Sequence, residues 1–119
     1  MAAGEREFGV EPFRRLVTAR AVSVVQPDLM RVGGVTGWRQ VAGLAEAHHL
    51  RLAPHFYREY DVHLAACYPN LVAIEWFDWL DTLVVHPLEI RDGMVIVPDR
   101  PGFGLEFRPE ALAEFEVRS

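Results

Sequence analysis

Apolar positions along the chain keep switching between two spacings. In EPFRRLVTARA, Phe13, Leu16 and Val17 recur at the three- and four-residue interval of one helical face. AVSVVQPD, Ala21 to Asp28, is instead a short apolar run that stops on a proline and an acid, the mark of a buried strand. The glycine pair in RVGGVTGWRQVAGLAEAHH predicts a loop. Thr36 is then the expected N-cap of a helix whose buried face carries Val41, Leu44 and Ala45. LRLAPHF, Leu50 to Phe56, repeats the strand pattern and stops on Pro54. A helix through REYDVHLAACYP follows, with Val62, Ala65 and Ala66 inward. LVAIEWF, Leu71 to Phe77, predicts a further strand, and DWLDTLVV a short helical turn. Strand, loop and helix in repeated order give an α/β protein with a parallel sheet and right-handed crossovers.

The tail changes character. In LEIRDGMVIVP, Asp92-Gly93 lies between two β-rich runs and predicts a type I′ hairpin. DRPGFGLEF reads as a Pro/Gly-rich loop. PEALAEFEV reads as a closing helix with Pro109 at its first position.

Composition narrows the possibilities. The chain has 119 residues, half of them hydrophobic, and a formal net charge of −5. That is enough for one core and gives no electrostatic footprint for nucleic acid, since no basic cluster stands out. No apolar run approaches the roughly 18 residues of a membrane helix. The charged start MAAGEREF does not resemble a signal peptide. One cysteine, Cys67, cannot form an intrachain disulfide, so a cytoplasmic location is expected, with Cys67 a small buried hydrophobe.

Candidate chemistry sits where the apolar runs end. Glu5, Asp28, His55 and Glu75 follow one another at intervals of 23, 27 and 20 positions. A (β/α)8 barrel of about 250 residues uses roughly 30 per unit, and its strands end on one face where the loops build the active site. Acids and histidines at strand ends also cap the following helix, which is the ordinary alternative for any one of them. Four in consecutive units, in otherwise apolar strands, favour a shared site.

The segments Gly4-Glu5, QPDLMRVGGVTGWRQVAGLAEAHH, APHF, IEWFDWLD and VPDRPGFGLEF resemble, in order and spacing, the C-terminal half of the mandelate racemase branch of the enolase superfamily. The resemblance implies the C-terminal part of a modified (β/α)8 barrel, strands five to eight over residues 1–88. Residues 89–119 would form a hairpin and tail packing on an N-terminal capping domain. It implies Mg²⁺ as cofactor and a small carboxylate, an acid sugar, as substrate. Glu5 looks like a metal ligand. Asp28 and His55 look like the dyad in which the histidine is the general acid/base. Glu75 looks like the acid that hydrogen-bonds the substrate carboxylate as it becomes an enediolate. The chemistry is consistent: that anion carries two negative oxygens, carboxylates are the hard ligands Mg²⁺ prefers, and histidine titrates near neutrality.

The same resemblance implies further parts that these residues do not supply: two more metal ligands and a Lys-x-Lys acid/base on earlier strands. All twelve basic side chains here are arginine. A partial barrel is therefore expected, inactive by itself and prone to form homo-oligomers. IEWFDWLDTLVVHPLEIRDGMVIVPDRPGFGL is most similar to acid-sugar dehydratases of the talarate/galactarate type. A 2-hydroxy-acid racemase or epimerase is the nearest alternative, and an inactive fragment the alternative of another class. His55, Glu59 and His63 at four-residue spacing could face a zinc ion, but the order is not H-E-x-x-H. Gly33-Gly34 lacks a dinucleotide fingerprint. His48 and His49 at a helix end read as solvated, and His86 before Pro87 carries no signal. Trp76, Phe77 and Trp79 read as core and rim packing.

Overall fold

The computed structural model describes residues 1–117. They fall into two compact units by contact density, Met1–Trp76 and a second from Phe77 onward. The barrel pattern of the sequence divides the chain later, after residue 88.

In the first unit, strands and helices alternate: β1 Ala2–Ala3, α1 Glu11–Thr18, β2 Val24–Val25, α2 Gly34–Ala47, β3 Arg51–Leu52 and α3 Arg58–Ala65. The strands pair in parallel in the order β1-β2-β3. Ala2, Val24 and Arg51 form one row, and Ala3, Val25 and Leu52 the next. A parallel bridge from Leu52 to Leu71 continues the sheet, with Val72 N–H donating to Leu52 O at 2.9 Å. The α/β order with parallel strands is as expected.

Three details differ. The regular ladders are two residues long, because Pro27 and Pro54 have no N–H to give. Pairing nevertheless resumes past them: His55 N–H donates to Pro27 O at 3.0 Å, and Asp28 bridges His55. Leu71 is the one bridged residue of the expected strand Leu71–Phe77, and residues 72–78 carry no regular secondary structure. Thr36 is not an N-cap. Gly33, at φ 90, precedes the helix and leaves Thr36 exposed inside its first turn.

The core lies between the sheet and the helices. Phe13 of α1, Trp38, Val41, Ala42 and Ala45 of α2, and Leu52 of β3 are fully buried. Val41 and Ala45 are on the face expected, and Leu44 is half-buried at its margin. On α3, Val62 and Ala65 point inward. Ala66 and Cys67 are exposed, contrary to expectation, because the helix ends at Ala65 and the chain leaves the buried face there. His48 and His49 are exposed at the end of α2.

Two glycines are dictated by space. Gly4 takes φ 133, and a Cβ there would meet the Phe13 ring at 2.6 Å. At Gly37, in the first turns of α2, a Cβ would lie 1.8 Å from the Val32 carbonyl oxygen. Gly37→Ala should therefore destabilise the chain: overpacking costs roughly 1–3 kcal/mol, more than the helix propensity that alanine gains, about 1 kcal/mol. Denaturant titration should show a lowered midpoint; a midpoint unchanged or raised would contradict the contact.

In the second unit, residues 79–83 form a short helical turn, with Val84 N–H donating to Leu80 O at 3.2 Å. Buried Val84 bridges Phe107 antiparallel, and Arg108 Nε donates to Val84 O at 2.8 Å. β4 Ile90–Arg91 and β5 Met94–Val95 make the expected hairpin, with Asp92 at φ 51 and Gly93 at φ 77, the paired positive values of a type I′ turn. α4, Pro109–Glu114, starts on its proline. Phe77 and Trp79 stack at 4.6 Å, and Trp79 is 62% exposed, so it is not a core residue within this unit. Among the described residues no helix is long and apolar enough to cross a membrane.

Candidate active site

Because β1, β2 and β3 are parallel and in register, whatever follows them emerges at one end. Glu5 stands two residues beyond Ala3, Asp28 three beyond Val25, and His55 three beyond Leu52. Asp28 and His55 face each other across an isolated parallel bridge.

The Asp28 carboxylate is divided between two tasks. Oδ1 accepts the backbone N–H groups of Met30 and Arg31, each at 3.0 Å, and so holds the turn that leads towards α2. Oδ2 lies 2.9 Å from His55 Nδ1. Capping and histidine contact, alternatives when read from the sequence, are both made by one residue that is only 4% exposed. An ionised carboxylate can only accept, so the proton of neutral His55 belongs on Nδ1 and the lone pair on Nε2. Nε2 is 3.6 Å from Glu75 Oε2, and that oxygen also accepts Phe56 N–H at 3.0 Å. The histidine side chain is 21% exposed and that of Glu75 37%, so both can be reached by a small molecule.

Glu5 is at the same strand ends, with its carboxylate 4.0 Å from Arg6 Nε. Its backbone carbonyl accepts from the Arg31 guanidinium. No contact joins its carboxylate to the Asp28–His55–Glu75 group among the described residues. Nor do three His, Cys, Asp or Glu side chains come close enough there to share a cation. Glu5 offers one hard oxygen donor and does not by itself make a magnesium site. The zinc alternative fails for the same reason; Glu59 is buried and 2.8 Å from Arg58 Nε.

A group of charges on α3 was not anticipated. Arg58, Glu59 and Asp61 are all buried, and the Arg58 guanidinium lies 3.9 Å from the centre of the Trp76 ring. Both Asp61 oxygens are buried without a hydrogen-bond partner. Burial pushes its carboxyl up to about 8; the charges of Asp28, Glu59 and Glu75 add to the rise, and the indole of Trp38 opposes it without reaching hydrogen-bond geometry. The signal was available: 58, 61, 62 and 65 share one helical face, so the inward Val62 and Ala65 already implied inward Arg58 and Asp61.

With this geometry in hand, comparison with known proteins is specific. The enolase C-terminal domain-like family matches residues 1–111. The chain belongs to that family. It is 38% identical over 111 residues to L-talarate/galactarate dehydratase of Salmonella typhimurium, covering 93% of this chain and 28% of the relative. The crystal structure of L-talarate dehydratase from Polaromonas sp. JS666, complexed with Mg and L-glucarate, superposes with a TM-score of 0.88 at 43% identity, over 94% of this chain and 31% of that one. A racemase from Streptomyces coelicolor A3(2) with bound magnesium gives 0.90 at 34% identity, over 98% and 32%. The chain thus spans about a third or less of the length of these three relatives, and its fold is the corresponding parallel-stranded part of an enolase-superfamily barrel.

Proposed function

We propose that these residues supply the base-bearing side of an acid-sugar dehydratase site, acting on the carbon next to a carboxylate. The carrying observation is the strand-end group in which His55 has Asp28 at Nδ1 and Glu75 beside Nε2. In this reading Nε2 removes the α-proton, and Asp28 stabilises the imidazolium that results. The imidazolium then returns the proton to the β-hydroxyl as the C–O bond breaks, releasing water and leaving an enol. Glu75, with Oε2 held by Phe56 N–H, meets the substrate carboxylate through Oε1. Mg²⁺, present in the Polaromonas relative, would steady the two negative oxygens of the enediolate, with Glu5 as one of its ligands. Dehydration is preferred to racemisation because identity is higher to the talarate dehydratases than to the racemase.

The test is a chimera in which residues 1–111 replace the matching part of the Polaromonas enzyme. A cooperatively folded, Mg²⁺-binding chimera should dehydrate L-talarate; one that folds and binds the metal without turnover would sink the proposal. Polypeptide 1–119 by itself should self-associate. Its parallel sheet has an open edge at β1, and Met1, Phe8 and Val72 are exposed. Light scattering showing a monomer would count against this.

A further inference from the structure

Phe56 holds φ 74, a left-handed value that residues other than glycine seldom adopt. Across it, Tyr57 N–H donates to His55 O at 3.0 Å, the i to i+2 bond of the rare γ-turn with positive φ. Tyr57 follows at φ −84 and ψ 58, with Arg58 N–H donating to Phe56 O at 2.9 Å, an inverse γ-turn. Two such turns in succession carry the chain from the end of β3 into α3. Strain of this kind persists only where the surroundings over-determine it, and it gathers at functional sites.

Here the surroundings are specific. The peptide group between His55 and Phe56 is held on both edges: its carbonyl by Tyr57 N–H, its N–H by Glu75 Oε2 at 3.0 Å. That same oxygen is 3.6 Å from His55 Nε2. We propose that Phe56 is a positioning residue, whose γ-turn fixes the His55–Phe56 peptide so that its N–H holds the Glu75 carboxylate beside Nε2. The purpose rests on the acid/base reading above, whereas the geometry does not. A relaxation of Phe56 to negative φ would break the bond across the turn, rotate the peptide and release Glu75, so the two groups meant to meet one substrate would lose their fixed separation.

The experiment uses ¹⁵N-labelled chain 1–119 with Phe56→Gly, Phe56→Val and Glu75→Ala. Glycine and valine both remove the ring, 5.9 Å from that of His55, so the comparison between them isolates the backbone. Glycine holds positive φ without strain and a β-branched residue does not. The glycine variant should keep the wild-type imidazole ¹⁵N shifts and slow amide exchange at position 56. The valine variant should exchange there at least about tenfold faster, as a locally opened hydrogen bond does, and its His55 Nε2 shift should move towards that of Glu75→Ala. Equal behaviour of the glycine and valine variants would overturn the proposal. Should the valine variant not fold, Glu75→Ala decides: exchange at Phe56 must accelerate, and unchanged protection refutes the bond. Turnover is not measured, so failure of the dehydratase reading would show separately in the chimera.

Discussion

Replacing His55 by asparagine in the chimera should lower kcat by about a hundred- to ten-thousandfold, the usual contribution of a placed general base. The fold should survive, because an asparagine amide can still donate to Asp28 Oδ2, where Nδ1 now sits at 2.9 Å. Affinity for Mg²⁺ should also survive, since Glu5 has no contact with His55. Asp28→Asn should lose activity by a different route. Its oxygen will stay on the Met30 and Arg31 N–H groups, which presents the NH₂ to Nδ1. The imidazole proton must then move to Nε2, where a lone pair is needed. The ¹⁵N spectrum should show that tautomer. Near-normal kcat in His55→Asn would mean that another group removes the proton.

The second large effect is on stability against pH. Asp61 has its carboxyl raised from 3.8 to about 8 in the folded chain. Between those values the folded state keeps a proton that the unfolded state has released, so stability must fall as pH rises, by roughly 1.4 kcal/mol per unit where the slope is steepest. The contribution is fully present below about pH 4 and gone above about 8. Asp61→Asn, which cannot ionise, should remove this slope. Denaturant midpoints from pH 5 to 8 should show the variant gaining on the wild type with every step up in pH, and levelling off beyond. Parallel curves would mean that Asp61 is ionised in the folded chain, held by a partner.

Some of this was plain from the letters and some was not, for identifiable reasons. The hairpin was legible because Asp92-Gly93 must supply two positive φ values, and α4 because Pro109 can begin a helix and cannot continue one. The meeting of Asp28 with His55 followed from parallel strands of similar length, and from the resemblance their motifs carry. Strand length is not legible: a proline reads as a stop, yet the carbonyl of Pro27 still accepts His55 N–H. Thr36 looked like a cap because its hydroxyl is the right group, but the chain had already entered the helix after Gly33. Cys67 was misplaced by about one residue of helix, enough to turn it outward. The φ of Phe56 has no local sequence signal at all, since nothing about phenylalanine favours it; Glu75, nineteen residues away, takes part in holding it.

The row made by Ala3, Val25 and Leu52 works as a ruler for anyone exchanging parts between members of this fold. Side chains alternate along a strand, so one residue added between Val25 and Asp28, or between Leu52 and His55, would turn the rim residue to the opposite face of the sheet. The connections at the other end of the strands, residues 19–23 and 48–50, lie outside that count. Doubling the length of one of them costs only about 0.6 kcal/mol in closure entropy. Grafts and barcodes therefore belong at the helix-to-strand connections, while the two or three residues after the row must be transplanted as a fixed length.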